Sequence, residues 1–195
     1  MIQAQVIADS VWKGKRLTSL QLVLPRFILA QLNTHRAFSR STASSRAIPT
    51  AKLIEMVESD PVVPLHWGRN QPGMQAECEL SDDLRFQAGD EWMDARDAAV
   101  ASAKTLAGMG VHKQVVNRIL EPFMWAHTIV TATEWDNFFA LRLDDAAQPE
   151  IQSRLYCRHR HRAGDYLAGP LQTRQRLLAV CRLVLALEIS KPKAA

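Results

Sequence analysis

The hydrophobic and polar positions of the chain alternate at the start and become helical later. Val6, Ile7 and Ala8 sit within Gln3 to Asp9, which predicts a strand. A Gly14-containing turn follows at Trp12 to Lys15. Leu17, Leu20, Leu22 and Leu24 then fall at close to period two against Thr18, Ser19 and Gln21. That spacing predicts a second strand, antiparallel to the first. Pro25 suits the first turn of a helix, and Phe27, Ile28, Leu29 and Leu32 give it an apolar side to about Arg36. Thr50 opens the next helix, with Leu53, Ile54, Met56 and Val57 as its buried stripe and Asp60-Pro61 as its end. Ser81, followed by Asp82 and Asp83, starts a long helix to about Leu106, stopped by Gly108 and Gly110. Phe86, Met93, Val100, Ala103 and Ala107 share one face of it, and its alanines predict close packing against another helix. Lys113 to Leu120 reads as a short helix before Pro122, Met124 to Thr131 as a strand, and Ala132 to Leu141 as a helix beginning near Thr133. Between them, His66 to Gln75 is turn-rich yet carries Trp67. It reads either as a functional loop or as a connector whose Trp67 plugs the core.

Chemistry concentrates in Gln31 to Pro49. His35, Arg36, Arg40 and Arg46 fall there among Ser39, Ser41, Thr42, Ser44 and Ser45. Arginine forks and hydroxyls suit anionic phosphate oxygens. No Gly-rich phosphate loop is present, so side chains would do the binding. The same composition also suits a solvated serine-rich loop at a helix end.

Composition narrows the classes. The 195 residues fit one domain with a tail. The chain has no apolar run able to span a bilayer and no signal-like start. Cys78, Cys157 and Cys181 are scattered, which suggests neither a disulfide framework nor a zinc site. His66 lacks a second metal ligand at suitable spacing. Together these features predict a cytoplasmic protein that holds no metal. Residues 151–195 hold nine Lys/Arg against two Asp/Glu, leaving fifteen against eighteen before them. The body is therefore −3 and the last segment +7. A basic tail can bind nucleic acid, but this one nearly lacks aromatic residues for base stacking. Its stretch Leu171 to Ile189 has the pattern of an amphipathic helix.

The stretch Thr34-His35-Arg36-Ala37-Phe38-Ser39-Arg40-Ser41-Thr42-Ala43-Ser44-Ser45-Arg46 resembles the signature of flavin-dependent thymidylate synthases, R-H-R-x-x-S-x-N-E-x-S-x-R-Y. His35, Arg36, Ser39, Ser44 and Arg46 match it, and Gln31 matches a glutamine just before it. Far downstream, Asn137-Phe138, Leu141-Arg142, Ala147-Gln148 and Glu150-Ile151 are similar to the family's N-F-x-x-L-R and A-Q-x-E-I block, with Arg118 matching an upstream arginine. The loop from His66 to Gln75 is similar to one found in phage and bacterial members.

The resemblance implies an α+β fold, an antiparallel sheet packed by helices, over residues 1–152, assembled as a homotetramer with sites at subunit interfaces. It implies transfer of a one-carbon unit from 5,10-methylenetetrahydrofolate to dUMP, with FAD reduced by NADPH giving the hydride. It assigns Gln31, Ser44, Arg46 and Arg118 to the phosphate and sugar of dUMP, and Arg142 to the uracil ring, where it polarises a carbonyl. It assigns His35, Arg36 and Asn137 to FAD, while Ser39 shapes the loop. Ser44 is also a candidate catalytic nucleophile, although no base stands beside it in sequence. On the residues alone, Arg118 could equally pair with an acid on its helix, Arg142 with Asp144 or Asp145, and Asn137 could simply face solvent.

The chain departs from the family at Thr34, Thr42 and Ala146, which bears on flavin binding and leaves a catalytically degenerate nucleotide binder as the alternative. Residues 153–195 depart wholly. Arg158-His159-Arg160 imitates the motif's opening but lacks its serine. The abrupt change predicts a divergent replacement, or a frame change, in place of the family's helix.

Overall fold

The structure is a computed structural model that describes residues 2–74, 76, 78–142 and 147–152. Everything expected of residues 153–195, and the departure at Ala146, lies outside the described residues.

β1 (Gln3–Trp12) and β2 (Lys15–Pro25) form the expected antiparallel hairpin, Trp12 opposite Lys15 and Gln3 opposite Val23. The turn residues Lys13 and Gly14 both have positive φ, 47° and 75°. A two-residue turn of that hand matches the twist of the strands it joins. β3 (Ser39–Thr42) and β4 (Trp125–Ala132) complete a four-stranded sheet of order β1-β2-β4-β3, with every neighbour antiparallel. In β4, Ala126, Thr128, Val130 and Ala132 are buried while His127 and Ile129 are exposed, so one sheet face meets the core.

Three expectations need correction. Ser39 to Thr42 is a strand rather than part of a loop. It has no apolar alternation because it lies at the sheet edge, where Thr42 Oγ1 bonds Thr128 Oγ1 (2.8 Å) and Ser41 O accepts from Thr128 Oγ1 (3.2 Å). Pro25 ends β2 rather than opening a helix, and the chain continues as a tight turn, Arg26–Ile28, into α1 (Leu29–Asn33). Arg26 N donates to Met124 O (3.1 Å), which holds this segment against the entry to β4. α5 (Asp136–Arg142) starts three residues later than expected because β4 runs to Ala132.

α2 (Thr50–Ser59), α3 (Asp82–Gly108) and α4 (Lys113–Leu120) share one core built of Leu53, Ile54, Val57, Ala99, Val100, Ala103, Val116 and Leu120, closed by Phe123 and Met124. Val100 and Ala103 are buried as expected, but Phe86 and Ala107 are exposed. The reason is length. α3 spans ~40 Å and α2 ~15 Å at 1.5 Å per residue, so the ends of α3 outrun its partners. A second core, Leu29, Leu32, Phe38, Ala126, Val130 and Ala132, packs α1 on the sheet under Trp135 and Phe138.

The turn-rich segment after α2 is pinched shut. Leu80 N donates to Trp67 O (2.8 Å) and Arg69 N to Cys78 O (2.6 Å). His66 Nδ1 lies 3.0 Å from Glu79 Oε1 and Nε2 lies 3.1 Å from Ala76 O. Trp67 meets Trp92 of α3 edge to face at 6.2 Å. Leu65 N donates to the buried Glu150 of α6 (Pro149–Gln152) at 3.1 Å. Among the described residues no helix is long and apolar enough to cross a membrane.

Candidate functional site

The expected site residues fall into two groups, each held by its own network. The first is built on the end of α1. Thr34 caps α1 by donating from Oγ1 to Gln31 O (2.7 Å), and His35 then turns inward. Its ring is buried, 7% exposed, stacked on Phe38 at 5.6 Å and met edge-on by Phe138 of α5 at 4.9 Å. α5 carries Arg142 to the same place. Arg142 Nε donates to His35 Nε2 (2.9 Å), and Nη2 donates to Thr34 Oγ1 (3.1 Å) and Gln31 O (3.3 Å). Gln31 Nε2 also donates to Gln148 Oε1, ahead of α6. One guanidinium edge is thereby fixed, and Nη1 makes no hydrogen bond among the described residues, which do not include Asp144 and Asp145.

This geometry settles the state of His35. A ring nitrogen that accepts a hydrogen bond carries no proton, so the imidazole is neutral with its proton on Nδ1. Burial lowers its pKa from the ordinary 6.5, and the charges of Arg142 and Arg40 lower it further. Arg40 acts from the other side, donating from Nη1 to His35 O (2.5 Å). His35 thus lies beneath Arg142, while its sequence neighbour Arg36 is exposed. Asn137, next to Phe138, is exposed as well. Arg36 follows His35 and Asn137 precedes Phe138 in sequence, so both exposed residues are chain neighbours of the contacting pair.

The second group is the turn after β3. Asn117 of α4, wholly buried, donates from Nδ2 to Ser45 O (2.8 Å) and Ile48 O (2.9 Å), and its Oδ1 accepts from Thr50 Oγ1 (2.9 Å). Ser45 is buried and donates from Oγ to Glu121 Oε1 (2.5 Å). Its neighbours Ser44 and Arg46 are exposed. Arg118, one residue after Asn117, reaches the same Glu121 oxygen from Nη1 at 2.8 Å. Ser44, Arg46 and Arg118 therefore belong to one surface. Among the described residues neither Arg36 nor Arg46 makes an ion pair, which leaves their charge available to an anion. No group of three His, Cys, Asp or Glu side chains is placed to hold a metal ion among the described residues.

The fit to a flavin dinucleotide divides by residue. Arg36 and Asn137 are exposed donors of the type phosphate and ribose oxygens need. The Nε2 of His35 is taken by Arg142, so the ring itself offers only Nδ1–H. Ser44 has no base. The carboxylate nearest in its network, Glu121, accepts from Ser45 instead.

Sequence reading gave no role to Asn117 or Glu121, and it singled out Thr34, Arg40 and Gln148 without placing them in this arrangement. Asn117 left one visible signal, a polar residue between Val116 and Leu120 on the apolar side of α4. Thr34, Gln148 and Glu121 also meet partners far away in sequence, Arg142, Gln31 and Ser45, while Arg40 bonds the nearby carbonyls of Leu32 and His35.

The family described as thymidylate synthase complementing protein, Thy1, matches residues 17–159. No curated protein matches in sequence. Among solved structures, the UMP/dUMP methylase PolB from Streptomyces cacaoi bound with 5-Br UMP is similar at a TM-score of 0.61 and 15% identity, over 78% of this chain and 84% of that one. The same methylase bound with 5-Br dUMP gives 0.59 and 14%, over 78% and 86%. At such identity the likeness shows a shared fold.

Proposed function

The chain belongs to the thymidylate synthase complementing protein family, Thy1, and from that premise we propose that it is a flavin-dependent thymidylate synthase converting dUMP to dTMP in the cytoplasm. In this reading 5,10-methylenetetrahydrofolate donates the carbon. FAD, reduced by NADPH, supplies the hydride chemistry that no side chain here offers.

The observation that carries the proposal is the fixed Arg142. Three acceptors, the ring of His35, Thr34 Oγ1 and Gln31 O, hold one edge of the guanidinium. Nη1 is then presented in a set direction and can face a pyrimidine carbonyl. A preorganised donor of this kind stabilises charge that builds on the ring without reorganising during reaction. A neutral His35 is a requirement of the arrangement. Protonated, it would lose its acceptor for Arg142 and set a cation against a cation.

Arg46, Arg118 and Ser44 would hold the phosphate of dUMP, and Gln31 its sugar side. Arg36 and Asn137 would hold FAD above the His35–Phe138 contact. The reading includes a homotetramer. Its support is that the two groups are held by separate networks, so neighbouring protomers can each contribute one group to a shared site.

One observation favours a second reading, a nucleotide binder without turnover. Thr34 stands where the family signature has arginine, and its hydroxyl is spent on Gln31 O and Arg142. It adds no cationic donor toward a flavin. The visible absorption spectrum of the purified protein supplied with FAD separates the readings. A bound oxidised-flavin spectrum that shifts when dUMP is added supports the synthase. Protein that stays colourless after removal of free FAD opposes it.

A further inference from the structure

We propose that Glu121 is a positioning residue for the nucleotide phosphate: it sets Arg118 and the Ser44–Arg46 turn in one fixed relation. This rests on the dUMP reading above.

The Oε1 atom of Glu121 gathers two hydrogen-bond donors and one further cation from three elements. Ser45 Oγ lies at 2.5 Å, Arg118 Nη1 at 2.8 Å, and Arg26 Nη2 at 3.7 Å. Ser45 comes from the turn after β3, Arg118 from the last turn of α4, and Arg26 from the segment between β2 and α1. The carboxylate itself cannot wander. Glu121 follows α4 directly, Pro122 restricts the next φ, and Phe123 and Met124 are buried in the helical core.

The placement is costly on local grounds. A carboxylate at a helix C-terminus meets the negative end of the helix dipole. Two arginines and a hydroxyl offset that. What they gain is order. The side chain of Arg118 is 52% exposed, and a long exposed arginine is otherwise free to change rotamer. Bound through Nη1, it keeps Nε and Nη2 for the forked contact that phosphate oxygens accept. Ser45, held by the same oxygen and by Asn117, fixes the backbone that carries Ser44 and Arg46. Counting Arg26, Arg46, Arg118 and Glu121, the cluster keeps a net charge of +2, so it still attracts a phosphate dianion.

The test is a double-mutant cycle read as the dissociation constant for dUMP. Glu121→Ala is expected to weaken binding about tenfold, the scale of one lost charge-assisted hydrogen bond. Glu121→Gln keeps the shape and the acceptor, so it recovers part of the loss, and it carries the test if the alanine variant does not fold. In an Arg118→Ala background either substitution at Glu121 is expected to cost about threefold or less, because the share carried by Arg118 is gone and only the hold on the Ser44–Arg46 turn through Ser45 remains. A loss of the same size in both backgrounds means that Glu121 merely supports the fold, and overturns the proposal. So does wild-type affinity in both Glu121 variants while Arg118→Ala binds weakly. Wild-type protein that does not bind dUMP at all overturns the dUMP reading itself and this inference with it.

Discussion

Asn117→Ala is the substitution from which most can be worked out in advance. The side chain is fully buried and uses both amide protons, on Ser45 O and Ile48 O, and its oxygen on Thr50 Oγ1. The bond to Ser45 O is buried and the other two are partly buried. Leaving a buried acceptor unpaired costs about 1–3 kcal/mol, and each partly buried bond contributes about 0.5–1.5 kcal/mol. The sum is about 2–6 kcal/mol, with about 4 kcal/mol the central expectation. For a chain of this length each kcal/mol moves the melting temperature about 2–4 °C, so the midpoint falls about 8–16 °C. Asn117→Asp serves as a control of equal shape. It leaves no cavity, yet it turns an acceptor oxygen toward two carbonyl oxygens, so its loss is at least as large at neutral pH. The assay is thermal unfolding by circular dichroism, with denaturant titration for the free energy. Because Asn117 fixes the turn that carries Ser44 and Arg46, dUMP affinity falls in the same variants. Both variants within about 0.5 kcal/mol of wild type would refute the reasoning, because the turn would then not depend on these bonds.

Other expectations follow from the same geometry. The pKa of His35 is depressed in the folded chain, so the unfolded state binds its proton more readily. The stability it contributes is present above about pH 6.5, the ordinary value, and is lost as pH falls through the depressed folded value. Denaturant titrations across pH 4 to 8 are expected to show a steeper acid-side decline for wild type than for His35→Gln. Arg142→Lys replaces a fork anchored at Nε by a single point donor that cannot hold the same orientation. Turnover, read as kcat, is expected to fall about a hundredfold, the scale of one lost oriented donor, while loss of at least one partly buried bond lowers the melting temperature by about 1–6 °C. Gly68→Ala places a Cβ 2.1 Å from the Cβ of Ala76, so the pinched segment must open. Gly89→Ala in α3 meets nothing within 4 Å. Thermal unfolding is expected to show the first losing about 1–3 kcal/mol and the second gaining about 0.5–1 kcal/mol.

What the sequence disclosed depended on whether each signal was local. The β1–β2 hairpin was legible because Leu20 and its neighbours alternate and Gly14 permits the turn. The cores of α2 and α4 were legible from helical spacing. β3 was not, because Ser-Arg-Ser-Thr carries no apolar period. Its strand character comes from pairing with β4, nearly ninety residues away in sequence. Pro25 misled because a residue without an N–H is tolerated at the end of a strand as well as at the start of a helix. In the site, the donor types around His35 could be read, but which of them face inward could not. The inward turn of His35 depends on Phe38, Phe138 and Arg142, and only folding brings them together. Arg118 follows the reading made from the residues alone. It pairs with an acid on its own helix end, as a surface arginine would, and that pair is what orders it beside Ser45.

The most direct test of the central claim is tritium release from dUMP labelled at carbon 5, with purified protein, FAD, NADPH and 5,10-methylenetetrahydrofolate. Sustained release accompanied by dTMP, lost when any one component is omitted, is the predicted result. No release above the protein-free blank, in protein that demonstrably binds dUMP, would contradict the account and leave a nucleotide binder without turnover.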